Sequence, residues 1–391
     1  MKIFIIHAKR TAYGVIRSLY KNNCDFYIAD TERTPLFSSR FVKNSFLIND
    51  ITSRDNDTYL KEILDLALLM ECEKEKALVF TGKDDYLLFF SKNWEVLSKY
   101  FILSFETDYE ILKNALSKDY LPNIAENSRV LIPKTLINKE VEEINNNCIY
   151  PLIIKPSIKN SPEVDVVRDA FRVKICKNIS ELSEGIALLK KLKVDYVVQE
   201  FIPGEDSELF TIATYSFKGE LKAWSTSNKI RQFPPNLGEC SFGTTLYEER
   251  LLEPAKRILK YLKLTGISQI EFKKYKGEFY LIEINPRIWS WHQIHSKVGV
   301  NLCQICVNQL LFPAKISKEL IYPYKGNKGE KKWMFLLMDY LHNYKLNKNI
   351  DFLSLIRDFL SCDIEAFFWM KDLKVFNQHM KETKDYFKKF R

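Results

Sequence analysis

Residues 266–287 read GISQIEFKKYKGEFYLIEINPR. Two short apolar and aromatic runs flank Lys276-Gly277, the pattern of a β-hairpin with glycine at its turn. With a three-residue loop over 276–278, Glu271 faces Glu283 across the ladder, the two side chains roughly 5 Å apart. Carboxylates at that separation repel by about 3 kcal/mol at an effective dielectric of ~20. The arrangement calls for a compensating cation, and a hard divalent ion with oxygen ligands is the natural one. Asn285 and Arg287 continue the parity of Glu283, so one face carries Glu, Glu, Asn and Arg. A hairpin with glutamates on a solvated face has the same local pattern, and a slip of one residue separates the pair. The rest of the chain has to decide.

A chain of 391 residues with 46% hydrophobic and 14% aromatic content has the length for two or three domains and the material for substantial cores. No apolar run reaches the roughly 18 residues of a membrane span. The start, MKIFIIHAKR, reads as a first strand and lacks the longer apolar core of a signal peptide, so a cytoplasmic location is expected. The Cys303-x-x-Cys306 pair has no second pair and falls in a helical pattern, where free cysteine behaves as a small hydrophobe. His7, His292, His295, His342 and His379 form no metal spacing; His292 and His295 follow the hairpin and either border an acceptor pocket or act structurally. The net charge is +9, and from residue 314 onward 16 Lys+Arg stand against 10 Asp+Glu, a surplus of 6. A solvated helical face is the default explanation, and an anionic substrate or membrane surface the sharper one. No motif for nucleic acid accompanies the charge.

Residues 1–112 alternate strand signals (2–6, 24–29, 77–81) with helical spacing (14–20, 59–70, 86–100), which implies a parallel sheet covered on both faces. No GxGxxG follows the first strand, so no nicotinamide or flavin is expected. Residues 113–193 read as a small α+β unit: a helix over 113–127, extended 130–133, a buried strand over 151–155, and a helix over 178–192 capped by Ser180. Residues 194–313 return to strands and the hairpin, with helices over 251–262 and 302–311. Residues 314–391 carry Leu336, Leu337, Phe352, Leu355 and Phe359 at helix-compatible spacing and read as an appended basic helical element.

In combination these motifs resemble the ATP-grasp superfamily over residues 110–312, in the branch of carboxylate–amine ligases that includes D-aspartate ligase. SKDYLPNIAENSRVLIPKT, YPLIIKPS, VVQEFIPGEDSE and the QIEF…IEINPR pair occur in that family's order. The resemblance implies an α/β and α+β multidomain protein: an N-terminal parallel α/β domain, the two lobes of an ATP-grasp fold and a C-terminal helical extension. It implies ATP held by Lys118 and Lys155, by the hinge Gln199, Glu200, Phe201 and Ile202, and at the ribose by Glu208. It implies one or two Mg²⁺ (or Mn²⁺) ions on Glu271, Glu283 and Asn285, with Arg287 steadying the transferred phosphoryl group and Lys229 or Arg231 assisting. Lysine suits phosphate as a point charge. The Gly-rich loop that often covers the phosphates is replaced by SIKNSPEVDVVRDAFRVK, where Arg168, Arg172 or Lys174 are the available contacts. Trp291 stands near where bicarbonate-using members carry a glutamate base, so bicarbonate activation is not favoured.

The expected activity is an ATP-dependent carboxylate–amine ligase working through an acylphosphate. Such chemistry needs positioning and charge neutralisation more than a protein nucleophile. The expected substrates are a small carboxylate and an amine: an amino acid such as aspartate and a peptide or cell-envelope precursor, an anionic one fitting the basic tail. A ligase of a dipeptide, capsule or secondary-metabolite pathway and a catalytically degenerate nucleotide-binding regulator are the alternatives. Arg10, Arg33, Arg40, Asp84 and Asp85 are the N-terminal candidates for the substrate pocket. Neither substrate nor oligomeric state is legible.

Overall fold

The computed structural model describes residues 1–7, 9–157, 173–235, 238–313, 320–321, 329–347 and 352–389. The first sheet is parallel, in the order β3-β2-β1-β4-β5, from β1 (Lys2–Ile6), β2 (Asp25–Asp30), β3 (Val42–Leu47), β4 (Ala77–Thr81) and β5 (Phe101–Leu103). β1, KIFII, has no polar alternation because both its faces are covered. Ile3 and Ile5 pack with Tyr13 and Val15 on one side, Phe4 and Ile6 with Tyr59 and Ile63 on the other. β3 and β5 escape sequence reading, the one for its polar VKNSFL, the other for its three residues. The helix expected over 86–100 is two, Asp84–Lys92 and Trp94–Leu97, separated at Asn93.

The second sheet is antiparallel, in the order β6-β9-β7-β8, from β6 (Thr135–Ile137), β7 (Leu152–Pro156), β8 (Lys174–Cys176) and β9 (Tyr196–Glu200). The helix Ile179–Lys191 covers it, capped by Asn178 rather than Ser180: the Asn178 side chain accepts from the Glu181 N–H at 3.0 Å. The single helix expected over 113–127 is also two, Tyr109–Leu116 and Leu121–Ser128. Pro122 has no N–H and its ring opposes the carbonyl four residues back, which is that of Lys118. Lys118 therefore sits in the break, its N–H donated to the Ser157 carbonyl at 3.1 Å.

The third sheet runs β14-β13-β10-β11-β12-β15-β16, from β10 (Leu209–Phe217), β11 (Glu220–Phe233), β12 (Glu239–Leu246), β13 (Gly266–Tyr275), β14 (Glu278–Asn285), β15 (Lys332–Met334) and β16 (Ile364–Glu365). Its last two strands come from the segment read as an appended helical element. That segment does contain helices, Leu336–Asn347, Phe352–Leu360 and Leu373–Lys389, but it also completes the sheet and braces the first domain. The Arg17 guanidinium donates to the Glu365 and Phe368 carbonyls at 2.7 and 2.8 Å. Among the described residues no helix is long and apolar enough to cross a membrane.

Cys303 and Cys306 are buried in the core, as expected of small hydrophobes. His292 and His295 lie beneath the helix Arg10–Leu19, and a Cβ on Gly14 would come within 2.5 Å of the His292 ring. His292 Nδ1 is 2.6 Å from the Trp289 carbonyl, and His295 Nδ1 is 3.0 Å from the Ser225 hydroxyl. Both histidines are structural. Burial pulls their pKa values down from 6.5, to about 4 for His292 and about 3 for His295. A histidine whose folded pKa is lowered supports stability fully above its unfolded value, and that support is lost as pH falls below 6.5 toward those lower values. The urea midpoint should therefore drop between about pH 7.5 and about pH 5, and the drop should shrink in His292→Asn. An equal drop in the variant would contradict this account.

Candidate active site

The hairpin turn is Lys276-Gly277, both at positive φ (50° and 86°), the two-residue form that matches strand twist. It is one residue shorter than the loop expected, and it pairs Tyr275 with Glu278. Uninterrupted, that register would set Glu271 against Ile282. A bulge shifts it: Phe272 pairs with Leu281, and Glu271 pairs with Glu283. The carboxylates thus face each other as expected, through a different turn and an extra residue. The bulge also leaves both Ile282 and Glu283 lining the same cleft, while Leu281 is buried on the other side.

Two cavities meet at this pair. The first, ≈ 180 Å³, lies between the second and third sheets. Lys118, Lys155, Gln199, Glu200, Phe201 and Ile202 all line it, and Ile153, Val173, Leu209 and Ile282 give it apolar walls. Lys155 is buried at the end of β7, and the Lys118 ammonium donates to the Pro156 carbonyl at 2.8 Å. Gln199 donates to the Thr135 hydroxyl at 2.8 Å. The Glu200 and Phe201 N–H groups are donated to the Lys134 and Pro151 carbonyls. Glu208 stands beside the cavity, between the lining residues Gly204 and Leu209. Lys273, overlooked in the sequence, lines it and ties β13 to the Gly204 and Glu205 carbonyls at 2.9 and 2.6 Å. Lys273 has the parity of Glu271, which is the signal that identifies it. Burial lowers the Lys273 pKa despite the acidic groups around it.

The second cavity, ≈ 640 Å³, lies between the first domain and the third sheet. Glu271, Glu283, Asn285, Arg287 and Lys229 line it, with His7, Lys9 and Arg10 of the N-terminal domain. Lys229 and the carboxylate pair line both cavities. The Lys229 ammonium is 3.0 Å from Glu271 Oε2, with both side chains nearly buried. Burial, the largest single influence, works against that ammonium, but Glu271, Cys240 and Glu283 together hold the Lys229 pKa above the ordinary lysine value. The Arg287 Nε donates to Asp84 at the start of the helix Asp84–Lys92, and its Nη2 lies 3.4 Å from the Asn285 amide oxygen. Burial opposes the Arg287 charge too, and Asp84, with Glu283 and Glu239 behind it, raises the Arg287 pKa above the ordinary arginine value. His7 has φ 67°, and burial first, then the cations Lys9, Lys83, Arg287 and Arg10, bring its pKa to about 3, so the imidazole is neutral near pH 7.

The remaining candidates are placed elsewhere. Arg231 does not line the cavity. Its Nε and Nη2 fork onto Asp339 at 2.8 Å each, and Nη2 also reaches Asp358 at 2.9 Å, both in the C-terminal extension. Asp85 pairs with Lys83 at 3.1 Å, and Arg33 and Arg40 are exposed. Trp291 lines the second cavity while packing on Gly243. Lys174 pairs with Glu184 at 3.3 Å; Arg168 and Arg172 lie outside the described residues.

No family model matches the chain. It is 25% identical to D-aspartate ligase of Enterococcus faecium (strain Aus0004) over 352 residues, 84% of this chain and 81% of that protein. An L-amino acid ligase from Bacillus licheniformis superposes with a TM-score of 0.59 at 17% identity, over 81% of this chain and 77% of that one. The biotin carboxylase domain of Hydrogenobacter thermophilus 2-oxoglutarate carboxylase, solved with MgADP and bicarbonate, superposes at 0.63 and 17% identity, over 85% and 73%. The fold is ATP-grasp, in an α/β multidomain chain, and the chain is a homologue of D-aspartate ligase.

Arg231 is a structural clamp, and its loss takes the arginine from the fully buried Asp339 carboxylate, which keeps the Ser241 hydroxyl at 3.0 Å. Breaking one side of a buried ion pair costs about 3–5 kcal/mol. Arg231→Met should destabilise the protein by that order in urea unfolding while leaving nucleotide affinity near wild type; a stable variant that has lost nucleotide would place Arg231 in the site instead.

Proposed function

We propose that this ATP-grasp homologue of D-aspartate ligase is an ADP-forming carboxylate–amine ligase working through an acylphosphate. The observation that carries the proposal is the Glu271–Glu283 pair, set where the two cavities meet. Lysines and a strand-end hinge lie on one side, and an arginine with a larger pocket on the other.

The residues fit a divalent ion shared with phosphate. Among the described residues no three His, Cys, Asp or Glu side chains come together to hold one alone. Two carboxylates and the Asn285 amide oxygen make the small, hard donor set on which Mg²⁺ keeps phosphate and water as further ligands. Mn²⁺ is served by the same oxygens. When bound, the ion neutralises charge on the phosphates. Lys118 and Lys155 hold the α- and β-phosphates, and the apolar walls sandwich adenine. With the Glu200 and Phe201 N–H groups engaged, Ile202 supplies the N–H for the adenine edge. Glu208 accepts from the ribose. Arg287, fixed by Asp84, steadies the γ-phosphoryl group as a carboxylate oxygen attacks it and ADP departs. Lys229 keeps the carboxylate pair from repelling itself apart and adds positive charge at the same point. The amine then attacks the acyl carbon, the C–N bond forms, the C–O bond to phosphate breaks, and phosphate leaves with the amine proton passing to solvent.

An amino acid such as aspartate as the carboxylate substrate, and a peptide or cell-envelope precursor as the amine, are the substrates the homology favours. Phosphate release from MgATP, assayed with malachite green, should depend on an added carboxylate and amine. Persistent silence with ATP still bound would instead make the chain a nucleotide-binding regulator. Glu283→Gln should cut turnover by at least about 100-fold with the circular dichroism unchanged, and wild-type release in that variant would refute the metal assignment. Lys155→Ala should chiefly weaken nucleotide binding, seen as a raised ATP dissociation constant; unchanged affinity would remove Lys155 from the phosphate site.

A further inference from the structure

The C-terminal extension has an outward side that the candidate active site does not use. Helix Phe352–Leu360 is held from its inner side, where Arg231 clamps Asp358 at 2.9 Å and Leu355 and Phe359 are half-buried. The opposite side carries Leu353, Ile356 and Leu360, spaced by three and then four residues, at 80%, 54% and 75% exposure. Arg357 is exposed among them, and no carboxylate shares that face. Single exposed leucines are ordinary on a protein surface. A line of three down one helix face marks an interaction surface.

Helix Leu373–Lys389 repeats the arrangement with more charge. Its inner side is fixed by the fully buried Val375 and by His379, whose ring stacks on Phe367 at 4.1 Å. On the other face Leu373, Asn377, Met380 and Lys384 recur at three- and four-residue spacing, flanked by Lys374 and Lys381, and all six are exposed. Among the described side chains of this helix, Asp385 is the one exposed carboxylate. The surplus of 6 positive charges over residues 314–391 has the same sign as these two faces.

We infer that the extension docks this chain on an anionic lipid surface. The leucine stripe of helix Phe352–Leu360 enters the boundary between headgroups and acyl chains, and the lysines of helix Leu373–Lys389 draw it there. Apolar and basic side chains interspersed on outward helix faces are the composition that lies in such an interface. Lysine stems run along apolar surface while their ammonium groups stay with the phosphates. A second copy of the same face would set lysines against lysines, which like-charge repulsion disfavours. An acidic protein would satisfy the lysines and leave the leucines without a reason. The docking does not depend on the ligase function proposed above.

The test is co-sedimentation of the full-length protein with vesicles of phosphatidylcholine alone and of phosphatidylcholine carrying about 30% phosphatidylglycerol. Binding should require the anionic lipid, and the partition coefficient should fall about tenfold or more between about 0.05 and about 0.5 M salt. Leu353→Ser combined with Leu360→Ser should weaken the partition about fivefold or more. Lys374→Gln combined with Lys381→Gln and Lys384→Gln should weaken it by about as much. Circular dichroism and ATP affinity should stay unchanged in both variants. No binding to anionic vesicles, equal binding to neutral ones, or either variant partitioning as the wild type does would overturn the inference. Soluble polyglutamate bound as tightly as the vesicles would make the surface a site for acidic protein instead. A dimer in sedimentation velocity that the leucine variant dissolves would make it a self-association face, again in place of lipid. Vesicle binding without phosphate release would keep the docking and remove the ligase function.

Discussion

Two carboxylates opposed across one rung of a hairpin are the constraint on which the site depends. Glu271 and Glu283 are each other's ladder partners, and one buried ammonium, Lys229, lies 3.0 Å from the Glu271 carboxylate. The Lys229 ammonium and, from the other side, the Arg287 guanidinium offset part of that repulsion. The tight turn alone would have set Glu271 against Ile282, so the bulge is what creates the pair. The same hairpin arranges the site in a line: Lys273 and Ile282 at the first cavity, the glutamates at the junction, Gln269 and Asn285 at the second. The proposed function uses that order, since phosphoryl transfer requires its partners held in line on a rigid element.

The flanking domains are held to that hairpin by buried charge. Asp84 of the first domain fixes Arg287, and Arg231 of the third sheet grips Asp339 and Asp358 of the extension. The extension in turn places Met338 in the wall of the second cavity and Phe335 under Arg10. It is a structural part of the second cavity's wall.

Much of this was legible from side-chain parity. Glu271, Glu283, Asn285 and Arg287 are spaced by twos on β-like runs, and Lys155 ends an apolar strand before a proline; the structure brings all five to the clefts. The parallel sheet was legible from β1 and β4, whose apolar runs admit burial on both faces. What was missed has local causes. Arg231 follows Lys229 by two, but a register shift between them, and another just after Arg231, break the alternation, so they do not share a partner environment. Lys118 was named and lines the first cavity, but the helix break that holds it there is revealed only by the steric demand of Pro122. Lys273 obeys the same parity as Glu271, but it stands in a run of lysines that reads as a solvated edge. The strands of the extension are three and two residues long and are defined by their neighbours in the sheet rather than by their own sequence.

The most direct measurement is a crystal structure with a non-hydrolysable ATP analogue and Mn²⁺, the ion located by its anomalous signal. The account predicts manganese bonded to oxygens of both Glu271 and Glu283 and to the nucleotide's terminal phosphates, with adenine against Ile202. A bound nucleotide with its ion elsewhere, and the two carboxylates turned apart, would contradict it.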